Sequence, residues 1–169
     1  MLGSEIADFR VQIADLLIDC VRDCGTRRAS VLCVNPKAEA LKARTKRFAL
    51  DVLDLIETLP RNGAAVHVGL QLADAATSVA ANYRAACRGR SRAEFAAKIG
   101  VVLEECDESL FWLEICEEKR WGAERGRRTL LVEANELTAI FVQSSVTVRQ
   151  SIEPLVQKQI SNPPSSKPI

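Results

Sequence analysis

Arg84, Arg88, Arg90 and Arg92 fall within nine residues of the stretch SVAANYRAACRGRSRAEF, which runs from Ser78 to Phe95. A guanidinium group presents a planar fork of donors that matches a phosphate or a carboxylate. This cluster therefore suits either a nucleic-acid backbone or an acidic protein face. Arg84 and Arg88, four apart, share one face at the end of a helical pattern, where cations interact favourably with the dipole and the unpaired carbonyls. Arg90 and Arg92 straddle the first turn of the next helix, where the dipole disfavours them, so local stability does not account for them. The imbalance continues along the chain. Arg84 to Lys98 holds five bases against Glu94 alone, whereas Leu103 to Glu118 holds seven acids and no base.

Paired acids on a helix invite a di-metal reading, which requires two Glu-x-x-His repeats with further glutamates facing inward. Glu105 and Glu108 have the right separation for adjacent turns, but no histidine follows either acid, and the acidic run reads as a solvated face. His67 is the sole histidine and stands near the start of a helix, where packing or surface exposure is its ordinary role. The six cysteines include no Cys-x-x-Cys pair, which excludes a zinc site of the usual kind. Gly89 and the pair Gly122 and Gly126 lack the strand and the Lys-Ser/Thr of a phosphate loop. No catalytic residue, metal site or cofactor is expected, and the chain reads as a non-enzyme.

The elements that must carry the arginines are helices. Asn35-Pro36 reads as an N-cap followed by proline at the first helical position. Leu41, Thr45, Phe48, Val52, Leu55 and Leu59 then recur at spacings of four and three until Pro60 and Asn62-Gly63. A second helix, about Ala65 to Ala86, has two apolar faces: Leu72, Ala76, Val79 and Tyr83 on one, Val66, Leu70, Ala73, Thr77 and Ala80 on the other. Such a helix is central, or serves both the core and a subunit contact. Ser91 to Glu94 is a capping box, with the Glu94 carboxylate expected on the Ser91 N–H. The third helix follows with Phe95, Ile99, Val102, Cys106, Leu110 and Leu113, ending near Trp121-Gly122. After the loop GAERGRR, the fourth carries Leu130, Ala134, Leu137, Phe141 and Val148. Long helices with short connections predict an all-α, antiparallel up-down-up-down four-helix bundle over residues 35–152.

Two flanks lie outside that domain. Residues 153–169, rich in proline and serine, read as a disordered tail. In residues 1–34, Ile6, Phe9, Ile13, Leu16, Leu17, Cys20, Val21 and Cys24 form a helical stripe. Two readings stand for this extension: a fifth amphipathic helix covering an oligomer surface, or an assigned start upstream of the true one near Val34. With 169 residues, 47% of them hydrophobic, the chain can bury a core without disulfides. Net charge is only +1, so attraction to polyanions has to come from uneven placement. Cysteines at apolar helix positions and the lack of a secretory signal or membrane span point to the cytoplasm.

The segments NPKAEALKARTKRFALDVLDLIETLP, ATSVAANYRAACRGRSRAEFAAKIGVVLEECDESLFWLEI and EANELTAIFVQSS resemble the bacterial four helix bundle proteins, whose members include proteins encoded in intervening sequences of large-subunit ribosomal RNA genes. The resemblance runs from about Asn35 to Arg149. Its most specific parts are Ser78-x-x-x-Asn82-Tyr83-Arg84 and Arg90-Ser91-x-x-Glu94-Phe95. It implies a bundle that assembles into a ring-like homo-oligomer, a pentamer, with Ser78, Asn82, Tyr83, Glu94 and Phe95 as family-motif and interface residues. A related branch, the accessory proteins of diversity-generating retroelements, binds a reverse transcriptase and nucleic acid through basic surfaces. Members often carry glutamate where this chain has Ala85; if that acid pairs with a basic neighbour in them, its absence here leaves the local arginines freer or changes the subunit contact. Two functions follow as expectations. Arg84, Arg88, Arg90, Arg92 and Lys37 form a basic rim that grips RNA or DNA backbone, or the arginines join subunits of a scaffold.

Overall fold

The computed structural model describes residues 36–161, which form four helices: α1 (Pro36–Ile56), α2 (Gly63–Ala86), α3 (Arg92–Glu118) and α4 (Glu124–Ser161). The N-terminal extension, including the helix expected within it, lies outside the described residues, as do residues 162–169. Proline opens α1 without loss because its missing N–H is one of the first-turn donors that no helix satisfies. Asn62, which was expected only to end the preceding helix, is the N-cap of α2 and accepts the Ala65 N–H at 3.0 Å. The Ser91 cap forms as expected, its hydroxyl accepting the Glu94 N–H at 3.1 Å. The Glu94 carboxylate reaches one residue further back than expected, to the Arg90 N–H at 2.9 Å. At its far end α4 runs through Pro154 to Ser161, past the boundary at 152.

Each of α1 and α3 packs against both α2 and α4, which is the cyclic order of an up-down-up-down bundle. Leu41, Phe48 and Val52 of α1, Leu72, Val79 and Tyr83 of α2, Ile99, Val102 and Leu113 of α3, and Leu137 and Phe141 of α4 form its apolar centre. Burying a side chain of this size stabilises by roughly 1.5–3 kcal/mol, against about 1 kcal/mol for a helix cap. The stripes therefore decide the fold and the caps trim its ends. The Tyr83 and Phe141 rings meet across the core with centroids 5.4 Å apart. Buried hydroxyls do not disrupt it, because Thr45, Ser109 and Ser144 each donate to a backbone carbonyl one turn earlier.

Of the two apolar faces of α2, the one bearing Leu72, Ala76, Val79 and Tyr83 is buried. On the other, Val66 and Leu70 are exposed. Small residues set how close α2 comes to its neighbours: a Cβ at Gly69 would lie 3.2 Å from Leu59 and 3.3 Å from Ile56.

The α3–α4 turn carries the strained backbone. The helix closes with the Trp121 N–H on the Cys116 carbonyl at 2.9 Å and the Arg120 N–H on Glu117 at 3.0 Å, a Schellman ending. Its left-handed residue is Arg120, at φ 55°, where glycine is the usual occupant. Two residues on, Gly122 is left-handed as well (φ 77°), and a Cβ there would come within 2.9 Å of Leu55 and Thr58. This turn is therefore pressed onto the end of α1, where Thr58 accepts the Ala123 N–H at 3.1 Å. The two positions should respond oppositely in thermal denaturation. Arg120→Gly relieves a Cβ clash and should stabilise by about 0.5–1 kcal/mol, raising Tm by roughly 2 °C. Gly122→Ala should destabilise by about 1–3 kcal/mol. A lower Tm for Arg120→Gly would show that the side chain, not the backbone, matters there.

Candidate nucleic-acid interface

The α2–α3 turn is held from both sides. The Cys87, Arg88 and Gly89 N–H groups bond back to Tyr83, Ala85 and Ala86 at 2.9–3.1 Å, winding α2 down in a tightened last turn. Gly89 lies so close to the end of α2 that a Cβ would be 3.1 Å from the Ala86 carbonyl oxygen. Ser91 and Glu94 then start α3 immediately. Arg84 ends up in the last turn of α2, Arg88 and Arg90 in the turn itself, and Arg92 at the first position of α3. Three are exposed and Arg92 is half-buried. Among the described residues no ion pair or side-chain hydrogen bond engages any of the four guanidinium groups.

Lys37 starts α1 at the same end of the bundle and is half-buried. Of the next four cations along α1, Lys42, Arg44 and Arg47 do not extend the patch, because the fold uses them. Lys42 pairs with Glu39 at 2.6 Å and Arg47 with Asp51 at 2.6 Å. Arg44 forks onto Glu133 of α4, at 2.6 and 2.8 Å, and also bonds Glu136. The family-motif residues divide. Tyr83 and Phe95, at 0% and 2% exposure, belong to the protomer's core. Asn82 donates to the Ser78 carbonyl within α2 at 3.1 Å, and both are half-buried. Glu94 is exposed and serves the cap.

The acidic run occupies α3. Burial, reinforced by Glu108, Glu104 and Asp74, pushes the Glu105 carboxyl above its usual range. Glu108 accepts the Trp112 indole N–H at 3.0 Å, and His67 meets the Trp112 ring edge-on at 6.2 Å between centroids. The histidine is thus an exposed residue resting against a surface aromatic ring. Cys106 and Cys116 are buried, and burial raises both thiols above their ordinary pKa, Cys106 far above it, which disfavours the thiolate. Among the described residues no three His, Cys, Asp or Glu side chains are placed to share a metal ion. No described helix is long and apolar enough to cross a membrane.

Fold and site together define a small all-α bundle with a cationic turn at one end. The chain belongs to the family described as 23S rRNA-intervening sequence protein, whose model matches residues 40–143. It is also similar to a crystal structure from Bacteroides thetaiotaomicron, a protein of unknown function from the S23 ribosomal protein family. The two share 23% identity and superpose with a TM-score of 0.57, over 62% of this chain and 97% of that one. No curated protein matches the chain.

The opposite end of the bundle holds a charge that the sequence reading missed. Arg127 is 4% exposed. Its Nε donates to Glu117 at 2.7 Å, and Nη1 donates to the Gly122 and Trp121 carbonyls of the strained turn. One buried cation thereby joins α3, the turn and α4. The signal was present: Arg127 falls three residues before Leu130 and seven before Ala134, in register with the buried stripe. Neighbouring Arg128 is exposed and pairs with Glu124 at 2.8 Å.

The hydrogen bond from Arg127 holds the Glu117 carboxyl below its usual range. A depressed folded-state pKa adds stability that is complete above the ordinary carboxylate pKa and is lost as pH falls through the folded value. Arg127→Met should therefore lower Tm at pH 7 far more than Arg128→Met. It should also flatten the fall of Tm between pH 5 and 3, because that part of the acid dependence goes with the pair. Equal melting of the two variants at pH 7 would remove Arg127 from this role.

Proposed function

We propose that this protein is a non-enzymatic, homo-oligomeric bundle of the cytoplasm that binds RNA or DNA backbone through the α2–α3 turn. One observation carries the reading. The capping and packing residues around that turn have partners inside the fold, while among the described residues the guanidinium groups of Arg84, Arg88, Arg90 and Arg92 have none. Four guanidinium groups clustered on one turn repel one another and lose side-chain entropy if ordered, and Arg84 alone gains from a helix dipole, so folding does not account for the cluster. They suit a polyanion, to which arginine offers its fork and from which counterions are released. The family's description ties its members to ribosomal RNA genes, which makes RNA the first ligand to try. Lys37, at the same end, extends the rim.

Assembly strengthens this reading. The exposed face of α2, with Val66 and Leu70, suits a subunit contact, and a closed ring of copies would set their α2–α3 turns around one pole. A chain of net charge +1 would then present a concentrated positive surface. A second reading makes the oligomer itself the product, a scaffold in which the arginines meet the acidic α3 of a neighbour, or in which a partner such as a reverse transcriptase docks. The long acidic run of α3 favours that alternative.

Charge reversal separates the two. Arg88→Glu with Arg90→Glu should weaken binding of a generic RNA by at least about tenfold at low salt and reduce the slope of log K against log salt, with the mass in light scattering unchanged. Loss of the oligomer in the variant would favour the scaffold. No gel retardation of RNA or DNA by the wild-type protein at micromolar concentration and low salt would end the nucleic-acid reading.

A further inference from the structure

The seam between α1 and α4 makes the least contact of the four in the bundle. Beside the Arg44–Glu133 fork it opens into a groove of about 1230 Å³, running along α1 from Ala43 to Thr58 and along α4 from Ala123 to Glu133. Its floor is apolar, formed by Phe48, Leu55 and Leu130. Val132 lies on its wall, 60% exposed. Arg44, Arg47, Arg125 and Arg128 line it; Arg44 is paired with Glu133 and Glu136, Arg47 with Asp51 and Arg128 with Glu124, while among the described residues Arg125 has no ion pair. An apolar trough between two helices is the shape that receives a third amphipathic helix.

We propose that residues 5–24 of the same chain occupy this groove as a helix antiparallel to α1. Attachment comes first. The chain enters α1 at Pro36, and the groove begins seven residues later, roughly 10 Å along the axis. Residues 25–35 can span up to about 35 Å, so they reach its mouth with slack. Length agrees as well: twenty helical residues cover about 30 Å, against roughly 23 Å of groove along α1.

Pattern and charge give the remaining support. On a helix, Ile6, Phe9, Ile13, Leu16, Leu17, Cys20 and Cys24 share one stripe, and Glu5, Asp19 and Asp23 border it on one flank. The segment holds five acids (Glu5, Asp8, Asp15, Asp19, Asp23) and two bases (Arg10, Arg22), a net charge of −3. In the antiparallel direction Asp19 and Asp23 fall toward the Arg44 and Arg47 end, whose cations already have carboxylate partners, so the charge support comes from the other end. Glu5 and Asp8 fall toward Arg125 and Arg128. Tethering raises the segment's effective concentration to about the millimolar range, which favours it over the same surface of another molecule.

Photo-crosslinking of the full chain tests this. With p-benzoylphenylalanine in place of Val132, irradiation should join the groove to peptides within residues 1–24, in a product that migrates as a single chain. The combined Phe9→Asp and Ile13→Asp substitutions should lower that yield severalfold, while the α1–α4 helices keep their circular dichroism signal. Placing the crosslinker at Arg125 repeats the readout should the change at Val132 disturb folding. Crosslinks to residues 36–161 of another copy, products of two chains, no crosslink from either position, or a yield indifferent to the Phe9 and Ile13 changes would each overturn the proposal.

Discussion

The bundle depends on how closely α2 can approach its neighbours. Ala65, Gly69, Ala75, Ala76 and Ala86 place small side chains at the contacts, and at Gly69 even one methyl group would meet Leu59 and Ile56 at the edge of tolerance. Close approach is what lets large groups meet across the centre, Tyr83 of α2 with Phe141 of α4. It also decides where the chain turns. With α2 tight against α1 and α3, the connection after Ala86 has only a few residues in which to reverse, and Gly89 and the Ser91 cap are the residues that permit it. The position of the arginine cluster is thus a consequence of helix packing at a distance from it.

Much of this was legible in the sequence because the deciding quantity is periodic. Stripes at spacings of three and four name the buried face of a helix directly, and Leu41, Phe48, Val52, Ile99, Val102, Leu137 and Phe141 are all where their spacing puts them. Capping chemistry is equally local, so Ser91 was readable. Asn62 was misassigned only because a residue that can end one helix can also begin the next. What escaped notice was a polar residue in an apolar register. Arg127 sits on the stripe of α4, but the GAERGRR stretch around it reads as a loop from its glycines and arginines, whereas it is helical from Glu124 onward. The left-handed Arg120 escaped for a similar reason: glycine at 122 looked like the helix end, whereas the structure uses glycine there to fit beneath Leu55 and Thr58. Nor does periodicity separate a motif residue of the core from one at a subunit surface. Tyr83 and Phe95 were open to either reading until their burial was known.

The two ends of the bundle use arginine in contrasting ways. At the α3–α4 end, Arg127 is desolvated, and its cost is offset by one carboxylate and two backbone carbonyls that would otherwise lack a donor. That arrangement closes a helix terminus and positions the turn against α1. At the α2–α3 end the helix terminus is closed by backbone N–H groups and a serine hydroxyl, so no cation is needed for it. Arg84 alone has a favourable place relative to a helix dipole, and Arg92, at the first position of α3, has an unfavourable one.

Charge along the bundle is therefore sorted rather than balanced. On α1, Lys42, Arg44 and Arg47 are engaged by Glu39, Asp51, Glu133 and Glu136, and these pairs knit α1 to itself and to α4. On α3 the acids outnumber any partners, and their mutual repulsion together with burial already raises the Glu105 carboxyl. A small fold that leaves one pole positive and one helix negative forgoes stability that salt bridges between them could have supplied, though exposed pairs are worth only about 0–1 kcal/mol each. The loss is small in a single protomer, whereas the gain on meeting a polyanion grows with every phosphate neutralised, a dependence steep enough for four arginines to matter. That asymmetry of scale is the physical reason to look for the ligand of the α2–α3 turn outside the protomer and not within it.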